Sequence, residues 1–134
     1  MKHGLDHQVD YWNRVGPTKP FSHPLDLERF GALVPRDRRV LDVGCGYGRT
    51  LQLLSEHGYA NLAGVDIAPA MIAAARARVP GARLHVMDHP TALPLEDGSV
   101  DAVLLFSVLT CVPTDQGQRT LIGECRRVLA PSGV

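Results

Sequence analysis

The stretch at residues 40–48 constrains the fold of this chain more than any other feature. Its sequence, VLDVGCGYG, is a short apolar run followed by a turn with three glycines. Residues 49–56, RTLQLLSE, then read as a helix. A strand that turns through glycines into a helix N-terminus brings backbone N–H groups and the positive end of the helix dipole to one corner. The stretch therefore predicts a strand–turn–helix unit whose corner binds an anionic group.

The spacing of the glycines separates two classes of ligand. A dinucleotide fingerprint needs glycine at its first, third and sixth places, and the sixth place here is Arg49. The third glycine, Gly48, comes one residue early, so the pattern reads Asp-x-Gly-x-Gly-x-Gly from Asp42. This spacing disfavours an NAD-type Rossmann domain. A tight turn that only joins the strand to the helix is the alternative without a ligand.

Apolar runs alternate with helical patterns along the rest of the chain. Further strands are predicted at residues 61–66, 82–87 and 100–108. Helices are predicted at residues 25–33, from Pro69 to a stop at residues 80–81, and around residues 121–129. This order is typical of an α/β fold with a parallel sheet flanked by helices on both sides, a three-layer α/β/α architecture.

Residues 1–24 carry three prolines and little periodicity, which predicts an irregular N-terminal arm ahead of a ligand-binding domain at residues 25–134. The arm has two interpretations. It either packs its aromatic side chains on an edge of the core, or forms a lid over the pocket. In the second case Tyr11, Trp12 and His23 are the candidates to face a substrate.

Composition limits the partners that the chain can have. Its 14 basic and 14 acidic residues cancel, so bulk charge gives no reason to expect nucleic acid or a membrane surface. No run approaches the roughly 20 apolar residues of a membrane span, and the N-terminus lacks the apolar stretch of a secretory signal. The 3 cysteines show no Cys-x-x-Cys spacing. We therefore expect a cytoplasmic protein without disulfides and without a metal site.

Acidic residues follow the predicted second and third strands. The carboxyl ends of parallel strands share one edge of a sheet, where ligands of such folds bind. Asp66 stands 22 residues after Gly44, close to the roughly 20 at which an acid meets a ribose in these folds. Asp66 could instead cap the helix that begins near Pro69. Asp88 follows the third strand in the same way.

Five segments resemble, in order, the motifs of class I S-adenosylmethionine (SAM)-dependent methyltransferases, and in particular the small-molecule, type 11 branch. They are the glycine motif at 42–48, a ribose-binding segment at 65–71, an adenine-binding segment at 88–94, the fourth-strand motif at 97–103, and the helix and turn at 124–133. The resemblance implies a Rossmann-like sheet with strand order 3-2-1-4. The family fold has seven strands, so we expect this fold truncated after the fourth strand and its helix.

The resemblance also implies roles for single residues. Asp42 would lie near the ammonium group of SAM, Asp66 would hold the ribose hydroxyls, and Asp88 would bind the adenine amino group. The cofactor-binding set implied in this way is Asp42, Gly44, Cys45, Gly46, Asp66, Ile67, Met71, Asp88, His89, Phe106 and Ser107. No catalytic residue is predicted, although Tyr11, His23 and His89 are candidates for a general base.

The function implied is transfer of a methyl group from SAM to a small-molecule acceptor, with S-adenosylhomocysteine as the product. The alternative is a SAM-binding module without turnover. A fourth strand rich in valine and leucine would leave an unpaired apolar edge, which proteins generally avoid. A homodimer through this edge is therefore the expectation for the isolated chain.

Overall fold

A computed structural model describes residues 6–21 and 23–134 of the chain. The helices are α1 (Asp6–Val15), α2 (Leu27–Leu33), α3 (Arg49–Glu56), α4 (Pro69–Arg78) and α5 (Asp115–Val128). The strands are β1 (Val40–Val43), β2 (Leu62–Asp66), β3 (Arg83–Val86) and β4 (Ala102–Leu104). Short 3₁₀ turns span Gly16–Thr18 and Leu109–Cys111. None of the helices in these ranges combines the length and the apolar character needed to cross a bilayer.

The four strands form one parallel sheet in the order β3-β2-β1-β4. Val40 pairs with Leu62 of β2 on one side and with Ala102 of β4 on the other. The chain runs outward from β1 to β3 and then returns to the opposite side of β1. Ligands bind at such a switch point in open α/β sheets. The predicted α/β fold and strand order are confirmed.

Helices cover both faces of the sheet, as the apolar runs predict. β1 is buried along its whole length. Val40 belongs to a core with Leu51 of α3 and Ile72 of α4, while Leu41 belongs to a core with Leu121 of α5. Successive residues of a strand point to opposite faces, so this short strand supplies both cores. The three-layer arrangement follows.

The prediction of an irregular arm over residues 1–24 is wrong for residues 6–15, which form α1. The three prolines of this segment all follow the helix, so they do not interrupt it. Val9, Trp12 and Val15 recur every three residues and are partly buried. Asn13 fixes the helix to the domain, since its Oδ1 accepts the Ala70 N–H at 2.9 Å. Residues 1–5 lie outside the described part of the arm.

The fourth strand is shorter than predicted, and its outer edge is not bare. The glycine turn ends β1 after Val43, and the last β4 residue that pairs with β1 is Leu104, opposite Asp42. On the other side, the Val103 N–H donates to the Val134 carbonyl at 2.9 Å, and the Val134 N–H donates to Asp101 at 3.0 Å. This is the pattern of a parallel pair. The expectation of an unpaired edge is therefore wrong at these positions. Dimerisation through this edge stays a prediction, but fewer backbone N–H and carbonyl groups are free to pair with a second copy.

Candidate functional site

A cleft of about 1170 Å³, its open mouth included, lies at the carboxyl ends of the strands. Residues from β1, β2 and the segments after β3 and β4 line it, together with part of the N-terminal segment. Its floor is formed by the buried residues Asp42, Val43, Thr50, Asp66, Met71 and Met87. Its mouth is formed by the more exposed residues Trp12, Phe21, His23, Phe106 and Ser107.

The glycine turn uses its own N–H groups to hold itself together. Gly44 and Cys45 both donate to the Val65 carbonyl, at 2.8 and 3.0 Å, and Gly46 donates to the Asp66 carboxylate at 2.9 Å. The N–H groups of Gly44 and Gly46 are therefore already bonded within the fold, and the place of these two residues in the cofactor-binding set stays a prediction. The first N–H groups of a helix have no partner within the helix, so the first turn of α3 is the part of this corner that can offer donors.

Gly44 is required at its position for two reasons. Its φ of +70° lies in the left-handed region, which favours glycine. A Cβ atom there would also overlap Cγ2 of Val108, in the segment after β4. The missing side chain therefore lets the segment after β4 approach the turn after β1.

Asp42 presents an unpaired carboxyl group on the floor of the cleft. The residue is 4% exposed, and no donor from the described residues reaches its side chain. Burial raises its pKa to about 7; the nearby charge of Asp66 adds to this rise and Arg49 opposes it. A cation bound beside Asp42 would favour its charged form. The floor thus offers a carboxylate to a positively charged ligand group.

Asp66 connects the two neighbouring turns. Its Oδ2 accepts the Gly46 N–H and its Oδ1 accepts the Ala68 N–H, both at 2.9 Å. The second bond goes to the residue that precedes α4 and not to an N–H group of the helix itself, so the interpretation of Asp66 as the cap of α4 is wrong. Burial raises the pKa of Asp66, and hydrogen bonds from the backbone of Ala68, Gly46 and Ile67 oppose that rise. An ionised carboxylate has about four acceptor positions, so acceptor capacity remains for a hydroxyl donor.

The cleft brings together most of the cofactor-binding set predicted from the sequence. The members that line it are Asp42, Gly44, Cys45, Gly46, Asp66, Ile67, Met71, Phe106 and Ser107. Burial raises the pKa of the Cys45 thiol well above its usual range, so it stays protonated. Asp88 and His89 are exposed and do not line the cleft, although their neighbours Met87 and Pro90 do. His89 instead lies in a turn with Thr91, whose N–H is 3.3 Å from its Nδ1.

The N-terminal segment covers one side of the mouth. Trp12 and His23 line the cleft, whereas Tyr11 faces away and its hydroxyl accepts from Lys19 Nζ at 3.1 Å. The Arg49 guanidinium donates to the His23 carbonyl at 2.6 Å and so ties this segment to the start of α3. These contacts place Trp12 and His23 at the mouth of the cleft, and the role of this segment as a lid stays a prediction.

Several lining residues were not predicted from the sequence. They are Gln8, Phe21, Val43, Tyr47, Arg49, Thr50, Met87, Pro90, Val108, Cys111 and Val112. Tyr47, Arg49 and Thr50 directly follow the glycine turn, and that adjacency was a usable signal. Phe21 stands beside the predicted His23 in the same aromatic segment. Cys111 and Val112 belong to no motif, because they reach the cleft only through the turn after β4.

Comparison with known proteins identifies relatives of this chain. The profile of a family described as "Methyltransferase domain" matches residues 40–133. A trans-aconitate 2-methyltransferase of Variovorax paradoxus is 36% identical over 102 residues, which cover 75% of this chain and 38% of that protein. A ubiquinone biosynthesis O-methyltransferase of Xanthomonas axonopodis pv. citri is 33% identical over 137 residues, covering 92% of this chain and 53% of that protein. The chain therefore spans about half, or less, of the length of these relatives.

A solved structure shows the same architecture. The SAM-dependent methyltransferase from Methanosarcina mazei superposes with a TM-score of 0.73 at 26% identity. The match covers 82% of this chain and 55% of that protein.

Proposed function

The chain belongs to the class I SAM-dependent methyltransferase family, and from this premise we propose that it binds SAM in the cleft and transfers its methyl group to a small-molecule acceptor. We further propose residues 25–134 as the SAM-binding domain and the preceding segment, of which residues 6–21 and 23–24 are described, as its lid. Two classes of observation support the proposal: the chemistry of the cleft floor and the cover over its mouth.

The observation that carries the proposal is that the floor has a hydrogen-bond acceptor and hydrogen-bond donors close together. Asp42 offers an unpaired buried carboxyl group, and the first turn of α3 offers N–H donors close by in the chain. An amino-acid end carries both an ammonium and a carboxylate, so it suits both features at once. A nicotinamide dinucleotide has no ammonium group to pair with Asp42. The donor set therefore fits the amino-acid end of SAM.

The remaining floor and walls suit a nucleoside. Asp66 keeps acceptor capacity for a hydroxyl donor, and Ile67 and Met71 provide apolar surface beside it. Asp88 and His89 are proposed to contact the adenine, although both lie outside the cleft in this structure. Contact with an adenine would require residues 88–89 to move.

When bound, SAM supplies a methyl carbon activated by a sulfonium, and an acceptor lone pair bonds to that carbon while the carbon–sulfur electron pair returns to sulfur. The residues of this chain would hold the acceptor about 3–3.5 Å from that carbon and exclude water. Trp12 of α1, Phe21 and His23 line the mouth and would serve the second task. His23 is the titratable side chain at the mouth that could take a proton from the acceptor.

Calorimetric titration with SAM, S-adenosylhomocysteine and NAD tests the cofactor assignment. We expect the first two to bind and NAD not to bind. Asp42→Asn should weaken SAM binding roughly 10- to 100-fold, because a hydrogen bond to a charged group contributes about 1.5–3 kcal/mol. Asp37→Asn, at an exposed aspartate away from the cleft, is the matched control. Equal affinity of Asp42→Asn and the parent chain would refute the assignment.

The alternative is a SAM-binding module without turnover, and the short span relative to the curated relatives favours testing it directly. An enzyme converts SAM into S-adenosylhomocysteine, and releases it, faster when its acceptor is added. A module releases it slowly, and no acceptor accelerates the release. The two functions thus differ in one measured rate.

A further inference from the structure

The mouth of the cleft has a surface chemistry distinct from the floor. Phe106 is 40% exposed and Phe21 is 36% exposed, although both are large apolar residues. Both line the cleft, and Phe106 comes from the segment after β4, whereas Phe21 comes from the N-terminal segment. Ser107 has a left-handed φ of 57°, which is uncommon in a residue other than glycine. The two exposed rings thus give the mouth an aromatic surface.

Three aromatic rings contact one another in series on the side of the N-terminal segment. The Trp12 and Phe21 rings are stacked at an interplanar angle of 29° with centroids 6.1 Å apart, and the Phe21 and Tyr47 rings are tilted by 48° with centroids 5.5 Å apart. Trp12 Nε1 donates to Gln8 Oε1 at 3.1 Å, so the polar N–H group of the indole is already paired. A planar aromatic molecule can stack on such rings.

Charge at the cleft argues against an anionic acceptor. Among the described lining residues, Arg49 is the one with a permanent positive charge, and its guanidinium is engaged by the His23 carbonyl. The Lys19 ammonium lies over the Tyr11 and Trp12 rings, 5.4 and 5.1 Å from their centroids, and does not line the cleft. Asp42 and Asp66 stand on the floor below. Two acids against one arginine leave these charged lining residues with an excess of negative charge, which disfavours a carboxylate at the mouth.

We propose that the acceptor is an uncharged aromatic molecule bearing a nucleophilic hydroxyl, bound at the mouth between Phe106 and the Trp12–Phe21 stack. His23 and Ser107 are the polar groups beside it that can bond to the hydroxyl. This inference rests on the proposed function, because it assigns the second substrate of the same cleft. It concerns binding, and so it can be tested without turnover.

Calorimetry on the chain saturated with S-adenosylhomocysteine tests the proposal with three probes of matched shape. They are a naphthol, the corresponding naphthoate, and the fully saturated alcohol with the same carbon skeleton. We expect the naphthol to bind at least about tenfold more tightly than either of the others. The naphthoate isolates the effect of charge, and the saturated alcohol isolates the effect of the aromatic ring. Equal or tighter binding of either one overturns the proposal.

The location of the bound probe can be read from one signal. The chain contains 1 tryptophan, so its spectrum has a single indole N–H resonance, from Trp12. The naphthol should shift this resonance by the ring current of the stacked probe. Binding that leaves the resonance unchanged would place the probe elsewhere and overturn the proposal.

Two variants separate the site from general apolar binding. Phe106→Leu and Phe21→Leu each remove one ring at an exposed position and should weaken naphthol binding about 2- to 10-fold. Leu33→Ala, at a residue 68% exposed on α2, is the control that should leave the affinity unchanged. Loss of affinity in the control, or none in either phenylalanine variant, contradicts the proposal.

The same titrations distinguish failure of this proposal from failure of the proposed function. If S-adenosylhomocysteine does not bind, the cofactor assignment fails, and naphthol titration of the free chain still tests the mouth. If S-adenosylhomocysteine binds and the naphthol does not, the acceptor class is wrong while the cofactor assignment stands.

Discussion

Replacement of Gly44 by alanine tests how the segment after β4 meets the turn after β1. The new Cβ would sit at a φ of +70°, which costs about 1–2 kcal/mol in a residue with a side chain. It would also overlap Cγ2 of Val108, and overpacking of this kind costs about 1–3 kcal/mol. We therefore expect Gly44→Ala to lower the free energy of unfolding by about 2–5 kcal/mol.

A double-mutant cycle separates the two contributions. Val108→Ala removes the overlapping methyl group, so the pair Gly44→Ala with Val108→Ala should recover the overpacking part, about 1–3 kcal/mol, and retain the backbone part. Urea unfolding followed by circular dichroism measures all four chains. Gly123→Ala is the control, because a Cβ there meets no atom within 4 Å and alanine suits a helix better. Additive effects, within about 0.5 kcal/mol, would refute the proposed contact.

Three further predictions concern acidic residues. Burial raises the pKa of Asp42 from 3.8 to about 7, so the folded chain holds more protons than the unfolded chain between these values. The free energy of unfolding should therefore fall as pH rises from about 4 towards 7. In urea unfolding across this range, Asp42→Asn should abolish this fall. Asp66→Asn replaces an acceptor of two backbone N–H groups, so calorimetry should show S-adenosylhomocysteine binding weakened at least about tenfold; unchanged affinity would contradict the role of Asp66. Glu124 accepts from Arg127 and from the Leu93 N–H, which lowers its pKa from 4.5 to about 2. Its contribution is lost as pH falls through this range, and an acid unfolding profile unchanged in Glu124→Gln would be evidence against the contact.

The centre of the sheet could be predicted from the sequence because β1 and β2 are buried on both faces. Runs such as residues 40–43 and 62–66 are apolar at nearly every position, and glycine or proline follows them closely. Pro69 begins α4 as predicted, since a proline at the first turn loses no hydrogen bond. Strand order came from the resemblance of the motifs, and the parallel register bears it out.

The N-terminal helix was missed because its signal is weak by itself. Its apolar residues are few, and much of its stability comes from tertiary contacts such as that between Asn13 and Ala70. The spacing of Val9, Trp12 and Val15 carried the information, but the three prolines that follow dominated the interpretation. Asn13 and Ala70 are 57 positions apart in the chain, so a pattern within the N-terminal segment cannot predict their contact.

The positions of Asp88 and His89 could not be read from the strand ends alone. Both follow β3 within three residues, yet the loop after them is hydrogen-bonded to α5. Arg127 of α5 donates to the Leu93 and Leu95 carbonyls at 3.1 and 2.8 Å, and Glu124 accepts the Leu93 N–H at 2.9 Å. The path of the loop, and with it the direction of these two side chains, depends on a helix that is formed much later in the chain.

In the proposed binding mode, the buried floor and the aromatic mouth would set the order in which two ligands bind and leave. A molecule stacked between Phe106 and Trp12 would stand between the floor and solvent. The ligand on the floor would then bind first and leave last, and the methylated acceptor would leave before S-adenosylhomocysteine. Steady-state turnover would accordingly follow a compulsory sequence, with excess acceptor slowing the final release by occupying the exit again.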